Sequence, residues 1–102
     1  MTQPQYNFVR RSYIRGIIGF EPTPSNWDLA FQQGNVPQKQ INGIEHYDLI
    51  SAVIALYDFY MRQEQNYRTM YETKYPNNKY KKLTEVYCEK AKQVKKALDR
   101  VI

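Results

Sequence analysis

One cysteine among 102 residues, Cys88, cannot close an internal disulfide. Small secreted domains usually lean on several such bridges, so a reducing compartment, or indifference to redox state, is expected. His46 is the only histidine, and together with one thiol it falls short of the four ligands of an ordinary zinc site. No metal is therefore expected. The four glycines, at 16, 19, 34 and 43, form neither a dinucleotide fingerprint nor a phosphate loop. No serine stands with a second histidine to suggest a hydrolase, and no Glu-x-x-His pattern accompanies Glu64 and Glu72 as a di-iron bundle would require. Four Gly and five Pro are too few for collagen-like or low-complexity fibres. The longest apolar stretch, residues 49–61, is interrupted by Ser51 and Asp58 and falls well short of the ~20 residues a membrane span needs. Residues 1–5 lack the basic start and apolar run of a secretory signal, so an intracellular chain or a component of a virus particle is expected. No catalytic residue, cofactor or small-molecule substrate emerges, and a non-enzymatic chain is expected.

What the chain does have is 42% hydrophobic residues, enough for one modest core in a single domain spanning 1–102. Ten tyrosines, nine glutamines and seven asparagines supply broad contact area and neutral hydrogen-bonding groups. The charge is uneven. Residues 1–61 carry four Lys/Arg and five Asp/Glu, whereas residues 62–102 carry eleven and five. The overall +5 therefore belongs to the C-terminal part, where an electrostatic partner is expected to bind.

Residues 1–5, with Pro4 between glutamines, read as an extended arm. Beyond it Tyr6, Val9, Tyr13 and Ile17 recur at steps of three and four, the spacing of one helical face, with Asn7 a candidate cap and Gly19 a candidate left-handed terminator. A strand through residues 6–9 is the alternative. After Pro22 and Pro24, Ser25-Asn26-Trp27-Asp28 fits a capping box. It would open a short helix with Trp27, Leu29, Ala30 and Phe31 on its apolar side and Gly34 at its end. Residues 35–43, with Pro37 and Asn42-Gly43, read as a polar exposed loop. From residue 44 to 75 no Gly or Pro occurs, which predicts a long helix capped by Asn42, with His46 a neutral surface or boundary residue in its first turn and Pro76 ending it. Residues 49–61 are apolar nearly all round, so that half is expected to be enclosed on every side and Ile54→Asp to unfold the domain. A last helix over 80–101 carries Tyr80, Leu83, Tyr87, Ala91, Val94, Leu98 and Val101 at alternating steps of three and four. The expected fold is all-α: an antiparallel hairpin of the long central and C-terminal helices, covered by two shorter N-terminal helices.

Two surfaces stand out as candidate sites. Tyr67, Tyr71 and Tyr75 are spaced i, i+4, i+8, with Met70 beside them. Such rings either pack on Tyr80, Leu83 and Tyr87 across the hairpin or form an exposed row that binds another protein or a second copy of this chain. Exposure is expected for Tyr67 and burial for Tyr71 and Tyr75. The second surface is the lysine face of the last helix, where Lys92, Lys95, Lys96 and Arg100 suit non-specific contact with nucleic-acid phosphates. Cys88 borders that helix's apolar stripe and reads as a packing residue. The leading expectation is a protein-interaction or assembly module, with a small viral or phage accessory or virion protein as one setting. Backbone-directed nucleic-acid binding is the alternative.

Overall fold

Neither Gly nor Pro interrupts residues 49–69 or 78–101, and in the computed structural model, which describes residues 5–74 and 78–102, each stretch is a helix. The chain runs β1 (Phe8–Val9), α1 (Arg11–Ile18), α2 (Pro24–Gln33), β2 (Gln38–Ile41), β3 (Ile44–Asp48), α3 (Leu49–Thr69), a π-helical turn (Met70–Lys74) and α4 (Asn78–Val101). Helices α3 and α4 form an antiparallel hairpin: Tyr67 stacks on Tyr80, and about two turns further from the connection Tyr60 meets Tyr87. The expected helical architecture is thus present. Its core joins Val53, Leu56 and Tyr60 of α3 to Val94 and Ala97 of α4, Ile14 and Ile18 of α1, and Trp27 and Phe31 of α2. Residues 1–4 of the arm expected at 1–5, and residues 75–77, lie outside the described residues.

A small antiparallel sheet, in the order β1-β3-β2, is the main departure from the sequence reading. Residues 38–48 are a hairpin rather than a loop followed by helix. Its two-residue turn is Asn42-Gly43, with φ of 52° and 76°, the paired positive angles that match the twist of a tight hairpin. The long helix therefore begins five residues later than expected. Its cap is Asp48, not Asn42, and His46 is not in a helix at all. That ring sits buried in β3, its Nδ1 2.8 Å from the Ile44 carbonyl oxygen. Asn7 caps nothing either: its amide donates to Asp48 Oδ1 at 2.8 Å and its carbonyl accepts from Leu49 N at 2.9 Å. Residues 8–9 follow the strand alternative.

The short helices start differently from the sequence reading too. Helix α1 follows Arg10 with no side-chain cap, and buries Ile14 and Ile18 while Tyr13 is exposed. It closes at Gly19, whose φ of 85° is the left-handed conformation expected there. Helix α2 is capped by Thr23, whose Oγ1 accepts from Asn26 N at 3.2 Å. Pro24 occupies its first turn, where no amide is needed. Asp28 pairs instead with Arg11 at 3.0 Å. The Arg11 guanidinium lies 5.3–5.7 Å from the ring centres of Trp27, Phe31 and Tyr47, tying α1, α2 and β3 together.

Gly34 allows α2 to meet α3 at close range. A Cβ there would stand 2.6 Å from the Ala55 Cβ. Gly34→Ala is therefore expected to lower stability by about 1–3 kcal/mol through overpacking. Ala55→Gly alone costs about 1 kcal/mol of helix propensity. In the Gly34→Ala background the same change should restore part of the loss, and urea unfolding of the four proteins in the cycle reads that coupling.

Tyr60 is fully enclosed, and its hydroxyl has no hydrogen-bond partner among the described residues. Burial away from water pushes its pKa up to about 12, with the Asn26 side chain, outside hydrogen-bonding geometry, offsetting part of that. Below pH ~10 the phenol is neutral in both folded and unfolded chains and adds no pH dependence to stability. As pH rises toward 12 the unfolded chain ionises while the folded one does not, so stability falls by about 2–3 kcal/mol over that window. Tyr60→Phe is expected to remove this part of the alkaline slope. Near neutral pH the same change should be neutral or stabilising by up to ~1 kcal/mol, because an unpaired buried hydroxyl is lost. Unfolding free energies of both proteins at pH 7, 9 and 11 check this.

Candidate interaction surface

Helix α3 touches α1, α2 and α4, and three neighbours do not surround a helix that is apolar nearly all round. Val53 and Leu56 are 0% exposed, but Ile50, Ile54 and Met61 are 38, 42 and 41% exposed. With half-buried Tyr57 they fall at i, i+4, i+7 and i+11, one straight row about 16 Å long on the outside of the hub helix. The expectation that residues 49–61 are enclosed on every side is corrected here, and with it the expectation that Ile54→Asp unfolds the domain.

Beside that row, α3 and α4 part to leave a groove of ≈ 510 Å³ lined by Tyr57, Met61, Cys88, Ala91, Lys92 and Lys96, among others. Cys88 is half-buried there. Glu64, at the end of the groove, is nearly buried and is bridged by Arg68 one turn on. Lys95 also lines the groove. The hydrogen bond to Asp99 holds the Lys95 ammonium above its ordinary pKa, so it stays charged.

The two sequence-derived candidate sites fare differently. Tyr67 is half-buried rather than exposed, its ring stacked on Tyr87 at 5.4 Å and on Tyr80 at 6.3 Å. Its face is used inside the hairpin. Tyr71 and Met70 are half-buried in the π-helical turn, whose wider spacing takes Tyr71 off the regular i, i+4 row, and Tyr75 lies outside the described residues. The lysine face is exposed but partly engaged: Lys95 pairs with Asp99 at 3.0 Å and Lys92 approaches Glu89 at 3.7 Å. Arg100 donates to the Ile17 carbonyl at 3.1 Å, clasping the end of α1. Lys96 has no ion pair among the described residues.

Sequence reasoning passed over the Ile50–Ile54–Tyr57–Met61 row because periodicity marks apolar positions without saying which of them find a neighbour. The surplus of apolar residues in 49–61, in a chain too short to encircle a helix, was the available signal. Among the described residues no three His, Cys, Asp or Glu side chains gather as a metal site, and no helix is long and apolar enough to cross a membrane. Compared with protein-family models, curated proteins and solved structures, the chain matches none.

Proposed function

We propose that this chain is a non-enzymatic protein-interaction module that works in an assembly with another protein, and that its contact surface is the outer row of α3 with the adjoining α3–α4 groove. The observation that carries this reading is the row itself. Four apolar side chains aligned along one helix, three of them more than a third exposed, form a contiguous patch of the kind that marks interfaces. Tyr57 and Met61 belong to residue types favoured at such contacts. The tyrosine residues near the π-helical turn play a supporting part by closing the hairpin that holds α4 beside the row.

Backbone-directed nucleic-acid binding through Lys92, Lys95, Lys96 and Arg100 is the competing reading. It has less support, because nucleic acid would leave the apolar row of α3 uncovered, and Arg100 is engaged by the Ile17 carbonyl. Size-exclusion chromatography with light scattering, with and without duplex DNA at two salt concentrations, separates the two. The interaction reading expects a mass indifferent to DNA. It also expects a photoreactive residue at position 54 to crosslink to a protein in the expressing cell, in competition with purified unlabelled chain. A salt-sensitive DNA complex that survives Ile54→Asp and is lost when the three lysines become Gln would overturn it in favour of the alternative.

A further inference from the structure

We infer that the occupant of the α3–α4 surface is an amphipathic helix of a partner protein, with acidic residues along one flank of its apolar row; this rests on the reading of that surface as a protein-interaction site.

Shape supplies the first argument. Ile50, Ile54, Tyr57 and Met61 lie at the i, i+4, i+7, i+11 spacing that a second helix reproduces when it lies along a groove. The row is about 16 Å long, the reach of three helical turns, and the groove beside it has Ala91 and Cys88 among its lining, both small enough to admit a partner's apolar side chain.

Charge supplies the second. The basic rim is on one side only: Lys92, Lys95 and Lys96 of α4 border the groove, whereas the outer side of the row carries Asp58 and Gln65, both exposed. Lys96 is free of ion pairs among the described residues. The Lys92–Glu89 and Lys95–Asp99 pairs are exposed on both sides, so water weakens them and a partner carboxylate can compete for either ammonium. Glu64 is already neutralised by Arg68. Helix α4 as a whole holds eight basic and three acidic residues. A second copy of this chain would bring the same +5 charge and the same lysines, and that repulsion opposes self-pairing. Nucleic acid would meet the lysines but leave the apolar row in water. Only an acidic amphipathic partner answers both halves of the surface.

Two synthetic 16-residue helical peptides test this. Both carry Leu at i, i+4, i+7 and i+11; one has Glu and the other Lys along a single flank. Fluorescence anisotropy is expected to show the Glu peptide binding at least tenfold more tightly at low salt. Raising the salt to about 0.5 M, where screening is short-ranged, should shrink that preference. The triple change of Lys92, Lys95 and Lys96 to Gln should shrink it at low salt. Ile54→Asp should abolish binding of both peptides, with Ile54→Gln as a second variant and a circular dichroism melt confirming that each is folded. Equal binding of both peptides, lost on Ile54→Asp, would overturn the acidic preference and leave the interaction surface standing. Self-association of the wild type that Ile54→Asp dissolves would make a second copy the occupant, overturning this inference alone. Absence of peptide binding and of self-association would overturn the inference and the surface together.

Discussion

Val53→Asp is expected to leave no cooperative unfolding transition, while Ile54→Asp, one residue further along the same helix, melts within about 1 kcal/mol of the parent. Val53 is 0% exposed within the cluster shared with α1, α2 and α4, and Ile54 is 42% exposed. A carboxylate at position 53 must be dehydrated with no cation to pair with, or protonated, and either costs several kcal/mol. Domains of this size have roughly 5–15 kcal/mol in all, and a short chain with a modest core sits low in that range. At position 54 the carboxylate reaches water by rotating outward. Thermal melts followed by far-ultraviolet circular dichroism, with near-ultraviolet signals from the buried rings, check the contrast. Equal melting of the two variants would mean that α3 is rotated relative to its neighbours, and the outer row would lose its place on the surface.

Asp48→Ala is expected to cost about 2–4 kcal/mol, more than an ordinary helix cap, because one buried carboxylate serves three donors. Oδ1 accepts from Asn7 N at 2.8 Å, and Oδ2 accepts from Ser51 N at 3.1 Å and Ser51 Oγ at 2.6 Å. Removing it uncaps α3 and also leaves the Asn7 amide, which anchors β1 to the sheet, without its partner. Ser51→Ala removes only the hydroxyl contact and should cost about 1 kcal/mol. Asp48→Asn, which keeps one carbonyl acceptor, should fall between. Urea unfolding of the three variants gives the order. In hydrogen exchange, the Asp48→Ala loss should concentrate at the amides of residues 7 and 51 before the hairpin opens as a whole. A loss under ~0.5 kcal/mol for Asp48→Ala would remove Asp48 from its role as the clamp between strand and helix.

The two long helices were legible because their signals are local and summed over many residues. The absence of Gly and Pro across residues 49–69, and the steps of three and four from Tyr80 to Val101, are signals that no nearby turn contradicts. Gly19 and Gly34 were equally readable as helix ends, since a terminator acts on the turn beside it. The sheet was not legible. Gln38-Lys39-Gln40-Ile41 is exposed at every position, so it carries no alternation of apolar and polar residues. Its pairing with Ile44–Asp48 depends on the Asn42-Gly43 turn and on Asp48 holding β1 from 41 residues away. Caps moved for the same reason. Thr23 and Asp48 were chosen over Ser25 and Asn42 by where the chain turned, and several nearby side chains had the right chemistry for either position. The candidate surface lay furthest from the sequence. The sequence alone establishes that residues 49–61 are apolar and that the C-terminal part is basic, and it offers Tyr80 and Tyr87 as rings on which Tyr67 can pack across a hairpin. Whether Ile54 or Val53 faces water, and whether Tyr67 turns inward to Tyr87, was decided only by how α1, α2 and α4 are distributed around α3. Periodicity belongs to one helix, but burial is a relation between several, and a chain of 102 residues has too few of them to cover every apolar side chain it carries.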